Sequence, residues 1–122
     1  KLNRPLAAGS GRKEYVDAFA ESLVPAMKEF RPEFVFISAG FDGMAHDPIG
    51  RHLMMAPDYA ELTAIVMKIA AEYAGARIVS ALEGGYNIPD LTAAAGAHAA
   101  VLAGSVATPS AKDSRPKQKM DE

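Results

Sequence analysis

The chain of 122 residues contains no cysteine. That excludes disulfide scaffolds, cysteine-ligated zinc and thiol catalysis. It also fits a reducing compartment, so a cytoplasmic location is the expectation. Neither sign of charge dominates: 13 Lys and Arg face 15 Asp and Glu, for a formal net charge of −2. Such a balance gives no reason to expect nucleic acid or anionic lipid as a direct partner. No apolar run approaches the roughly 20 residues that span a bilayer. The opening stretch KLNRPLAAGSGRKEY lacks the apolar centre of a secretory signal, and no Met begins it. What is present is ordinary. Hydrophobic residues make up 49% and charged residues 23%, the mix of a globular protein. The length suits one small domain.

Apolar residues recur at helical spacing from about Gly11 to Phe30, through Tyr15, Val16, Phe19, Ala20, Leu23, Val24 and Met27. Pro25 lies inside that stripe and removes a backbone donor, so a kink or an early end is expected there. The run Glu33 to Ser38 is apolar almost throughout and rich in aromatic and β-branched residues. It reads as a strand buried on both faces, as in parallel sheets. A loop rich in Gly, Asp, His and Pro continues to about Ala56, and a loop of that length is usually functional. Pro57 and Asp58 suit the first turn of a second helix, striped by Tyr59, Leu62, Val66, Ile69 and Tyr73. Gly75 is placed to end it. Arg77 to Leu82 reads as a second buried strand. After Glu83-Gly84-Gly85-Tyr86, Asn87 can cap a third helix that runs to about Ala103, with Asp90 in its first turn. The stretch 105–122 is polar and reads as a disordered tail, leaving 1–104 as the folded part.

Strands alternating with helices imply a parallel α/β sheet. Two strands are too few for one, since each would be an edge while each reads as fully buried. The missing strands are expected from elsewhere in a larger domain or from another chain.

In open α/β sheets the ligand site lies beyond the carboxyl ends of the strands, where both unusual loops fall. Asp42, His46 and Asp47 cluster in the first. Carboxylate and imidazole suit Zn²⁺ or a similar divalent ion, but turn-forming Asp and an exposed His give the same composition. His52 reads as exposed or locally bonded. His98 reads as a packed or surface histidine, and Met54, Met55 and the Tyr59 stripe as packing. Tyr86, on its own, would be a core tyrosine under a glycine turn. Gly84-Gly85 lacks the spacing of a dinucleotide or phosphate loop.

Together these residues carry a resemblance. Phe34-Val35-Phe36-Ile37-Ser38-Ala39-Gly40-Phe41-Asp42, followed by Asp47-Pro48-Ile49-Gly50, resembles the zinc-ligand segment of the histone deacetylase and acetylpolyamine amidohydrolase family. Leu82-Glu83-Gly84-Gly85-Tyr86-Asn87 resembles that family's Gly-Gly-Tyr loop. Asn3-Arg4-Pro5-Leu6 with Gly9 and Tyr15 is similar to what precedes the ligand segment. The likeness covers about residues 3 to 104, and its wording is closer to the class II and bacterial branch. It implies a three-layer, parallel-sheet arginase/deacetylase-like fold, to which this chain gives about two strands and three helices. It implies Asp42 as one zinc ligand and Tyr86 as donor to the oxyanion of a tetrahedral intermediate. Gly84 and Gly85 would permit the backbone path that aims Tyr86, and Ile49 would stand near the mouth of the acyl-lysine channel. Asp47 would shape its loop, and His46 would be no ligand.

The family's tandem histidines, one of them the general base, have no match here, nor does its Asp-x-His ligand pair. The expectation is therefore the C-terminal portion of a zinc-dependent deacetylase acting on acetyl-lysine or acetylpolyamine. Alone it would be inactive, bound to the missing N-terminal portion or to itself. The alternative is a non-catalytic α/β binding or assembly module that kept the loops.

Overall fold

The computed structural model describes residues 1–104; the polar stretch 105–122, expected as a tail, lies outside the described residues. Helix α1 (Arg12–Ala18) starts at Gly11, whose N–H donates to the Glu14 carboxylate at 2.8 Å. It passes through a π-helical turn (Phe19–Leu23) into α2 (Val24–Phe30). The irregularity expected at Pro25 is therefore a widened turn just before the proline, which sits in the first turn of α2. A π turn holds an extra residue, which rotates the helix face. Ala18 is buried, while Ala20 and Val24 of the expected stripe are exposed. Arg31, at φ 54°, ends α2 in the left-handed region.

Strands β1 (Val35–Ala39) and β2 (Ile78–Leu82) pair in parallel, with Val35 opposite Ile78 and Ala39 opposite Leu82. Helix α3 (Ala56–Tyr73) connects them, and Gly75, at φ 55°, closes its end as expected. The Met55 N–H donates to the Asp58 carboxylate at 2.8 Å and fixes the start of α3. Helix α4 (Ile88–Leu102) begins at Asn87, whose side-chain oxygen accepts from the Asp90 N–H at 3.1 Å. Helices α3 and α4 pack on each other, and α1 and α2 lean on α3.

The core lies at the carboxyl end of β1. Ala39, Phe41, Met44 and Ala94 form it, with Ile37, Tyr59 and Leu91 against them. The loop from 40 to 55 folds back on itself by a bridge between Met44 and Met54, and Met54 is wholly buried. The expectation of strands buried on both faces does not hold within this chain. Phe36 is 77% exposed, and Val79 and Leu82 lie open as well. The helices cover one side of the two-stranded sheet, and nothing among the described residues covers the other. No described helix is long and apolar enough to cross a membrane.

Candidate active site

Parallel pairing brings both chemistry-bearing loops to one end of the sheet. Past the last paired residues the backbones stay together: the Glu83 N–H donates to the Ala39 carbonyl at 2.9 Å, and the Phe41 N–H to the Gly84 carbonyl at 2.7 Å. Asp42 thus lies beside Gly84 although 42 positions separate them in sequence. A methyl group built on Gly84 would stand 2.9 Å from Asp42 Oδ2 and 3.5 Å from the Tyr86 hydroxyl. Carboxylate and phenol therefore border the same small space, and only a missing side chain keeps it open. Gly85 has φ 134°, a conformation that favours glycine, and Leu91 and Phe41 crowd its Cα. The two glycines serve differently: Gly85 turns the chain, and Gly84 leaves room.

Tyr86 is 54% exposed, so it is no core tyrosine. Ile49 is also largely exposed, on the loop that carries Asp47. Asp47 is buried and accepts from the N–H groups of Ile49, Gly50 and Tyr86, each at 2.8 Å. Burial works against its charge, but backbone donors from Gly50, Tyr86, Ile49 and Asn87 outweigh it and hold the carboxyl below the usual range. His46 is an exposed loop residue paired with Asp90 at 3.3 Å.

Two arrangements lay beyond sequence reasoning. His52, expected exposed or locally bonded, is half-buried and shares a 2.6 Å hydrogen bond with the Tyr15 hydroxyl, because α1 folds across the long loop. Burial and then the Asp42 charge push the Tyr15 phenol up, so it stays protonated near the site. His98 is buried between Thr63 of α3 and Ser80 of β2, at 2.7 Å and 2.8 Å. The Thr63 hydroxyl donates to the Tyr59 carbonyl, so it accepts from His98 Nδ1, and Nε2 accepts from Ser80. The ring also meets Phe41 edge-on, next to Asp42. Neither histidine has a local signal, since each partner comes from another element.

A hard carboxylate oxygen beside an open space suits a divalent ion. One carboxylate is only one ligand, however, and no group of three His, Cys, Asp or Glu among the described residues could hold a metal. The described residues do not make a zinc site by themselves.

Residues 1–102 match the model of the histone deacetylase domain. The chain belongs to the histone deacetylase family. It is 37% identical over 86 residues to a histone deacetylase-like amidohydrolase of Pseudomonas aeruginosa, covering 70% of this chain and 23% of that protein. It is likewise 37% identical over 87 residues to a probable deacetylase of Archaeoglobus fulgidus, covering 71% and 24%. Among solved structures, the HDA15 HD domain superposes with a TM-score of 0.75 at 36% identity, over 86% of this chain and 28% of that one. The histone deacetylase Clr3 gives 0.77 at 34% identity, over 87% and 17%. The chain thus spans about a quarter of these two curated relatives. Its fold is that part of the three-layer arginase/deacetylase fold that holds two neighbouring parallel strands and their helices.

Proposed function

We propose that this segment belongs to a zinc-dependent deacetylase that hydrolyses N-acetyl amides, of the acetyl-lysine or acetylpolyamine kind. The observation behind the reading is the shared space at Gly84, bordered by the Asp42 carboxylate and the Tyr86 hydroxyl at the carboxyl ends of both strands. Asp42 gives one ligand; the others, and the general base, come from outside this segment. Zinc held there supplies Lewis acidity and an activated water. Tyr86 donates its phenol hydrogen to the oxyanion as the carbonyl becomes tetrahedral. Because Tyr86 is not buried among core residues, its hydroxyl is free to meet an entering acyl group. Ile49 offers an apolar wall to the aliphatic stem of the substrate.

The test is acetate release from an acetyl-lysine peptide and from an acetylpolyamine by the full-length protein, with zinc measured alongside. Tyr86→Phe should keep its zinc and lose roughly 10²-fold in kcat, the scale of one oxyanion donor. Asp42→Ala should lose zinc and turnover together. Full zinc content in Asp42→Ala would remove that ligand. A folded native protein with bound zinc and no turnover on either substrate would favour the non-catalytic module instead.

A further inference from the structure

We infer that Asp47 is a positioning residue whose carboxylate sets the backbone from which Tyr86 aims its hydroxyl. This rests on the deacetylase reading above for what Tyr86 does, though not for how it is held. The Gly-Gly-Tyr loop has little of its own to fix it. Gly85 stands at φ 134°, a conformation that favours glycine, and has no side chain to anchor it; the Tyr86 side chain is more than half exposed. The Tyr86 N–H instead reaches across 39 positions to Asp47 Oδ2 at 2.8 Å. Asp47 is an anchor because its other oxygen is occupied too. Oδ1 accepts from Ile49 and Gly50 and closes a tight turn in its own loop.

That turn is set against the metal-ligand segment. A Cβ on Gly50 would stand 1.6 Å from the Asp42 carbonyl oxygen, so the backbones of 42 and 50 touch with no room for a side chain. Neighbouring bonds clamp the same junction: the His46 N–H donates to Asp90 at 3.2 Å, and the Asn87 amide donates to the His46 carbonyl at 3.2 Å. One buried carboxylate thereby links Asp42's loop, the exposed Ile49 and Tyr86. The chemistry demands an acid here. Both oxygens accept, and an amide in the same shape would turn its NH₂ toward one set of N–H donors.

The test uses the full-length protein and two variants, Asp47→Asn and Asp47→Ser. Serine can still close a local turn but is too short to reach Tyr86. Amide hydrogen exchange at Tyr86 should accelerate about tenfold or more in Asp47→Ser, where no oxygen reaches it. Asp47→Asn should lose between about tenfold and 10²-fold in kcat, as misplacement of a reacting group does, with KM and zinc content unchanged. In a Tyr86→Phe background the same change should cost almost nothing further, since the group it positions is already gone. Unchanged exchange at Tyr86 would overturn the proposal, and so would kcat losses that multiply in the double variant. Should Tyr86→Phe alone keep full kcat, the reading of Tyr86 as oxyanion donor falls, and the exchange result by itself decides whether Asp47 holds the loop.

Discussion

Asp42 and Tyr86 reach the same space from the ends of two different strands, and the missing side chain of residue 84 keeps that space open. Gly84→Ala is therefore a sharp probe. Its methyl would come within 2.9 Å of Asp42 Oδ2, closer than non-bonded carbon and oxygen tolerate, and would face the Tyr86 hydroxyl. The Asp42 side chain is short and its loop is pinned by the Phe41 N–H bond to the Gly84 carbonyl, so the carboxylate has to rotate. Zinc affinity and kcat should fall together in the full-length protein, kcat by roughly tenfold or more. Gly96→Ala is the control, because a Cβ there meets nothing within 4 Å. Equal zinc content and equal kcat in Gly84→Ala and Gly96→Ala would mean that the space beside residue 84 plays no part. Asp42, Tyr86 and the two glycines stand out in the sequence through the motifs that carry them and their places after the strands, and their roles rest on the deacetylase reading. The separate tasks of the glycines were not legible there, because room beside a Cα depends on a neighbour 42 positions away.

At the scale of elements, the sequence pattern located every helix and strand among the described residues to within a few positions. Proline, glycine and Asn87 marked the boundaries because each acts on its own backbone or on that of its nearest neighbours. Pro25 points to an irregularity but not to its π form, since a π turn trades hydrogen bonds within one helix and leaves the apolar spacing almost intact. For His98 the packed alternative holds but its partners escaped: Thr63 and Ser80 meet it only once α3, β2 and α4 have packed. That packing makes it a pH-sensitive joint. Burial holds its pKa below the ordinary value of 6.5, so the folded state resists a proton that the unfolded chain accepts. Stability should be complete above about pH 6.5 and should decline as pH falls from there through the lower folded value. Thermal melts of the full-length protein should show this decline, and His98→Gln should flatten it. The variant should also be less stable at neutral pH, by about 1–3 kcal/mol for the hydrogen bonds lost in a buried place. The same slope in native protein and variant would take the acid sensitivity away from His98.

For the whole molecule, the decisive feature is the face that this chain leaves open. The rings of Phe34 and Phe36 stack at 4.7 Å with Phe36 in solvent, and Val79, paired opposite Phe36, is 48% exposed on the same face. Both strands are edges with unpaired backbone groups, and a net charge of −2 offers little repulsion between copies. An apolar sheet surface of this kind is ordinarily covered by the next layer of its domain. Relatives of which this chain spans only a quarter have ample sequence to provide that layer. On the deacetylase reading, the same division separates Asp42 from its fellow ligands, since catalytic zinc normally takes three from the protein and no group of three among the described residues could hold a metal. The 122 residues purified alone should therefore associate or aggregate in light scattering, and should release no acetate from an acetyl-lysine peptide when zinc is added. Adding the remainder of the domain as a separate chain should restore a defined particle and zinc-dependent turnover together, because that one chain would bring both the covering layer and the further ligands. A clean monomer that turns over substrate with zinc would sink this account, for it would require a base and two ligands where Asp42 stands alone among the described residues.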